Sequence, residues 1–137
     1  MANAFAEAAA AGAPRVLLRG SDSPALELSH FEDALRRLDA GDDLVLTPDL
    51  SGGYVMIGMR RPQPALFDVA MSTEDMLDET LRVAGSLELR SSITSACFDL
   101  DTVEDLRHLN GLTSAQSLDL CPRTVESIAS LRLDTVL

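Results

Sequence analysis

Apolar positions along the chain follow two periods, and their changeovers mark the elements. Val16-Leu17-Leu18 and Ala25-Leu26-Glu27-Leu28 are short apolar runs around Gly20-Ser21-Asp22-Ser23-Pro24, a cluster of turn formers, which predicts a hairpin or two neighbouring strands. Phe31, Ala34, Leu35 and Leu38 then repeat at helical spacing behind Ser29 and Glu32, with Gly41 just beyond the end, so a capped helix is expected there. Its opposite face carries Glu32/Arg36 and Asp33/Arg37 four residues apart. Asp43 to Thr47, Tyr54 to Arg60 and Ala65 to Ala70 predict a meander around Pro48–Gly53 and Arg61–Pro64. Tyr54-Val55-Met56-Ile57 is apolar on both faces, the mark of a central strand. A second helix follows, with Ser72 as its cap, Asp75 as capping-box acid, Met71 stapling to Met76, and Leu77, Leu81 and Ala84 turned inward before Gly85.

The last third repeats a small or aliphatic residue, then x-Ser-Leu-charged-Leu, at Ala84–Leu89, Ala115–Leu120 and Ile128–Leu133, with Cys97-Phe98-Asp99-Leu100 as a looser copy. Each copy reads as a short strand with leucines inward and a charge outward. A short helix, capped by Asp101 with Glu104 and closed by Gly111, sits between two of them. The stretch from Leu106 to Leu120 resembles a leucine-rich repeat, with the strand core on Ala115, Leu118 and Leu120. Because the strand leucines are unevenly spaced against that family's period of roughly 20–29 residues, the segment is read as sheet with leucine punctuation. In a repeat horseshoe, Glu88, Asp99, Asp119 and Arg132 would line the binding surface.

Together these elements predict an α/β or α+β fold: a mixed sheet with helices packed on it and a strand-rich C-terminal third. Residues 1–14, rich in Ala and without apolar periodicity up to Gly12 and Pro14, are expected to be a flexible tail before a single domain over 15–137.

Composition narrows the chemistry. With 137 residues and 22 acids against 11 basic side chains, all of them Arg, the formal charge is −11. The absence of Lys removes P-loop, Schiff-base and protein-kinase chemistries, each of which needs an amine on a long stem. Such a charge repels phosphate backbones, and few aromatics offer stacking platforms, so nucleic acid is not an expected partner. No apolar run is long enough to cross a membrane and no secretory signal precedes Arg15, so a cytoplasmic location is expected. Leu50-Ser51-Gly52-Gly53 resembles the start of the ABC-transporter signature, but without a Walker lysine it reads as a turn. His30, His108, Cys97 and Cys121 have no metal-type spacing, and Asp99-Leu100-Asp101 lacks the further oxygens of a calcium loop, so no metal or cofactor is expected.

The acids cluster instead. Asp39, Asp42, Asp43 and Asp49 surround the loop between helix and hairpin, and Glu88, Asp99 and Asp119 face outward from the leucine strands. These seven are the candidate partner-binding residues. The expectation is a non-enzymatic acidic module binding a basic protein, in its most concrete form a bacterial immunity or antitoxin-type inhibitor, with a homodimer compatible with it. The alternatives are a type III secretion-type chaperone and a small enzyme without a recognisable motif.

Overall fold

A computed structural model describes residues 1–68, 75–111 and 121–130. The fold is α+β, built from helices α1 (Ala2–Ala10), α2 (Leu28–Asp39), α3 (Met76–Ser86), α4 (Val103–Gly111) and α5 (Pro122–Ser130), with a 3-10 turn at Pro64–Phe67. Strands β1 (Val16–Arg19), β2 (Leu44–Pro48), β3 (Tyr54–Met59) and β4 (Ser91–Ile93) form one mixed sheet in the order β1-β3-β2-β4. β3 lies antiparallel between β1 and β2, and β4 runs parallel to β2. The doubly apolar Tyr54–Ile57 segment is thus a central strand, as its pattern requires.

Alternation sorts the strands between two cores. Leu44, Leu46, Ile57 and Met59 face one side with Phe5, Leu66 and Ala84. Val45 and Met56 face the other with Ala34, Leu38, Phe98, Leu109 and Cys121. The sheet is therefore covered by α1, the 3-10 turn and α3 on one face and by α2, α4 and α5 on the other. Gly58 lets these layers close up, because a Cβ there would sit 2.5 Å from Leu17 Cδ2 and 3.3 Å from Leu38 Cδ1. Helix α2 ends as its sequence implies: Gly41 takes φ +108°, and Asp42 N–H donates to Arg37 O at 3.1 Å.

Several local expectations are corrected. The Ala-rich start is helix α1, held down by Phe5, which is 1% exposed. Ala25 and Leu26 belong to a buried turn, with Leu26 N–H donating to Ser23 O, rather than a second strand. Residues 65–67, expected in a strand, lie in the 3-10 turn behind Pro64. Arg36 and Arg37 both pair with Asp33, leaving Glu32 outside that cluster's ion pairs. In the last third, Leu87–Leu89 follows the end of α3, where Glu88 takes φ 56°, and Ile128–Ser130 is helical. Cys97–Leu100 is not in a strand; its Cys97 N–H donates to Pro48 O at 2.9 Å. The turn at Leu87–Leu89 and helix α5 satisfy their backbones locally, and Cys97 and Leu100 bond to distant carbonyls, where the leucine pattern suggested a sheet. The Ser72 cap, the Met71 staple and the copies around Leu118 and Leu131 lie outside the described residues.

Candidate functional site

β1 delivers the chain to a concave site at its carboxyl end. Gly20 N–H continues the ladder by donating to Val55 O at 3.0 Å, and the chain then turns through Ser21, Asp22 and Ser23. Gly20 is required here: a Cβ would collide with the Asp22 carboxylate folded back over it. Arg19 fastens the same turn, its Nε donating to Gly20 O at 2.6 Å and its Nη2 to Ser23 O at 3.1 Å. The segment after β4 is tied to it by Leu100 N–H, which donates to Asp22 O at 2.9 Å. That bond brings Asp99 to the mouth of a cavity of about 460 Å³. Leu18, Arg19, Gly20 and Asp22 form one wall, Tyr54–Ile57 of β3 the floor, and Met1, Ala4, Met76 and Asp99 the remainder. Ligands of open α/β sheets bind at the carboxyl ends of strands, because loops diverge there and leave a crevice.

The site is acidic. Burial, and then the carboxylates of Asp101, Asp49 and Asp22, push the Asp99 carboxyl above its ordinary value, against a backbone hydrogen bond that lowers it. Asp99 also borders a smaller cavity of about 200 Å³ with Leu50, Ser51, Phe98, Asp101, Thr102 and Asp105. Asp101 is available to that cavity because α4 is capped one residue later than its sequence suggested. Asp105 N–H donates to Thr102 Oγ1 at 3.2 Å, and Thr102 N–H donates back to Asp105 Oδ2 at 2.7 Å. The Thr102 hydroxyl lowers the Asp105 carboxyl accordingly. Burial raises the Tyr54 phenol, with Thr80 as the opposing neighbour.

For Asp99 the sign of the pH effect follows directly. Its folded-state affinity for a proton exceeds the ordinary aspartate value of 3.8, so the folded state is favoured at low pH and loses that advantage as pH rises through the raised value. Asp99→Asn should therefore match the parent in stability below about pH 3 and exceed it near pH 7. The gain should be only a few tenths of a kcal/mol, because the group is largely solvent-screened. Urea midpoints at the two pH values measure it.

Of the other predicted residues, Asp49 reaches the site only through its charge on Asp99, and Asp39, Asp42 and Asp43 are engaged elsewhere. Asp39 pairs with Arg15 at 2.7 Å. Asp42 is 7% exposed, accepting from Arg90 Nε at 2.8 Å and from Ser92 Oγ at 2.6 Å. Asp43 accepts from Arg90 N–H at 3.1 Å. Asp49 shapes the β2–β3 hairpin by accepting from Ser51 N–H at 2.7 Å and Gly53 N–H at 2.8 Å, with Gly52 at φ +100°, so the Ser-Gly-Gly stretch is a turn. Each of these acids has a partner inside the fold. Asp42→Ala should cost about 1–3 kcal/mol in urea unfolding, since it takes the acceptor from the part-buried Ser92 hydroxyl, the Arg90 guanidinium being largely solvated; the four acids cannot be neutralised at no cost to the fold. Glu88 is exposed in its turn, and Asp119 lies outside the described residues. Cys97 and Cys121 are packed thiols whose pKa values burial raises, and Phe98 meets His108 edge-on at 4.7 Å.

Sequence reasoning missed Asp22, Arg19 and Tyr54. The available signal was an acid inside a Gly/Ser/Pro turn directly behind an apolar strand, which was read as punctuation alone.

The chain is 31% identical to a crystal structure from Desulfovibrio desulfuricans G20 at 1.90 Å resolution, provisionally named a nucleotide-diphospho-sugar transferase. The two superpose with a TM-score of 0.75 over 83% of this chain and 52% of that one, so the chain spans about half the length of its structural relative. No functionally curated protein matches. These findings overturn the expectation of a non-enzymatic acidic binding module of immunity, antitoxin or chaperone type. Gross acidity misled because much of it serves the fold. Among the described residues, no helix is long and apolar enough to cross a membrane. A family model described as "Uncharacterized protein conserved in bacteria (DUF2064)" matches residues 1–73, more than half of the sequence, and the chain belongs to that family.

Proposed function

We propose that the cavity at the end of β1 serves glycosyl transfer from a nucleotide-diphospho-sugar. The observation that carries this reading is the 31% identity and shared fold with the Desulfovibrio protein over 83% of the chain. The chemistry suits the residues present. Transfer of a sugar to a hydroxyl needs no amine nucleophile, so a chain without Lys can carry it out; it needs positioning and a carboxylate to accept a proton. Asp99, raised by burial and by neighbouring acids, is the carboxylate suited to take the proton of an acceptor hydroxyl as that oxygen bonds to the anomeric carbon and the diphosphate departs. Val55, Met56 and Ile57 offer an apolar floor for the nucleoside.

No group of three His, Cys, Asp or Glu suited to a metal is brought together among the described residues. Magnesium carried by a diphosphate needs just one or two protein carboxylates, and Asp22 would supply one here.

Thermal denaturation with a panel of nucleotide-diphospho-sugars and Mg²⁺ tests the reading. A ligand present at about 100 times its Kd adds about 2.7 kcal/mol and raises Tm, and the rise should be absent with the free sugar or the nucleoside. Equal shifts with all three, or none with any, would count against it.

A further inference from the structure

β1 is an edge strand built like an interior one. Antiparallel pairing fixes which of its backbone groups are spoken for. Gly20 bonds to Val55, so by two-residue alternation Leu18 and Val16 also face β3, while the N–H and C=O groups of Leu17 and Arg19 point away from the sheet. Among the described residues no strand lies beyond them. Sheet edges are normally blunted by charge, proline or a bulge, because an open ladder recruits other strands. β1 has none of these over Val16-Leu17-Leu18, its register with β3 is unbroken, and all three apolar side chains are only partly buried. The opposite edge, β4, is three residues long and begins Ser91-Ser92.

The free edge leads directly into the cavity, where the described residues offer a diphosphate little counter-charge. Among the described residues Arg19 is the one cationic side chain lining it, and its guanidinium is committed to the carbonyls of Gly20 and Ser23. Asp22 and Asp99 line the same space in a chain of net charge −11. A divalent cation would cancel those two carboxylates and leave the phosphates unbalanced. The Desulfovibrio chain has nearly half its length outside the match.

Resting on the reading of the cavity as a nucleotide-diphospho-sugar site, we propose that the free edge of β1 docks a basic polypeptide that adds a strand to the sheet and supplies the cationic groups for the diphosphate. Main-chain bonds from Leu17 and Arg19 hold it, and the loop following its strand lies over Asp22 and Asp99. Its basicity matches the acidic face that it completes.

The test is co-expression of this chain with the portion of the Desulfovibrio desulfuricans G20 protein that lies outside the match, followed by purification at low and high salt. Amide hydrogen exchange is then compared with that of the chain alone. Co-purification that weakens with salt, exchange at Leu17 and Arg19 slowed at least tenfold, and at least tenfold tighter binding of a nucleotide-diphospho-sugar with Mg²⁺ are expected. Leu17→Pro, which removes one outward N–H and leaves the bonds to β3 in place, should abolish co-purification while the α2 amides stay protected. Failure to co-purify, or unchanged exchange at Leu17 and Arg19, overturns the proposal. Slow exchange at those amides in the chain alone, with a doubled sedimentation mass, overturns it in favour of self-pairing. A salt-sensitive complex with β1 protected but with no affinity for any nucleotide-diphospho-sugar supports the docking edge and overturns the substrate reading.

Discussion

Replacing Phe5 by alanine is expected to lower the free energy of unfolding by about 3–5 kcal/mol, a large share of the roughly 5–15 kcal/mol available to a domain. Helix α1 has nine residues, six of them Ala, too short to persist alone in water however favourable its composition. It is ordered by docking. Phe5 enters the core with Leu44, Leu46, Ile57 and Met59, and its ring stacks on Phe67 with centroids 5.9 Å apart and planes inclined by 28°. Truncation removes both the burial and the ring pair, and it frees Met1 and Ala4 from the cavity wall. A urea titration would show the midpoint falling with a largely unchanged slope. A shift below about 0.5 kcal/mol, the size of an ordinary surface substitution, would mean that residues 2–10 do not pack on the sheet.

The second large effect is on binding. Asp22→Asn preserves side-chain volume and leaves the main-chain carbonyl that receives Leu100 N–H in place, so Tm should stay where it is. What it removes is charge at the cavity wall. Loss of a contact to a charged group costs about 1.5–3 kcal/mol, so affinity for a nucleotide-diphospho-sugar with Mg²⁺ should fall roughly tenfold to a hundredfold in calorimetry. Unaltered affinity would place the diphosphate elsewhere.

These two residues mark what was legible in the sequence. Strong periodicity was readable: α2 with Gly41 behind it, the β2–β3 hairpin and the buried character of β3 all follow from local pattern and agree with the structure. Phe5 was not readable, because one aromatic among alanines carries no periodicity and its burial depends on Leu46 and Ile57, some forty to fifty residues away. The leucine pattern after Ser86 misled because leucines two residues apart fit a strand, whereas the turn at Glu88, the irregular Cys97–Leu100 stretch and helix α5 occupy the described copies. The acids misled for a related reason. Asp42 and Asp49 look like free surface charge until Ser92, Arg90 and the hairpin amides are seen to occupy them. Asp99 was singled out for an outward strand position and instead borders the cavity, brought there by the bond from Leu100 to Asp22. No spacing rule connects residues 22 and 99; the hydrogen bond from Leu100 N–H to Asp22 O does.

A nucleotide-diphospho-sugar held in the cavity at the carboxyl end of β1 would contact the turn after that strand. Amide chemical-shift mapping during a titration with such a ligand and Mg²⁺ tests this placement most directly, since it detects even millimolar binding and reports position. Saturable shifts concentrated at Leu18–Asp22, Tyr54–Ile57 and Asp99 are expected, suppressed in Asp22→Asn. Shifts that do not saturate, or that concentrate away from those residues, would contradict this placement.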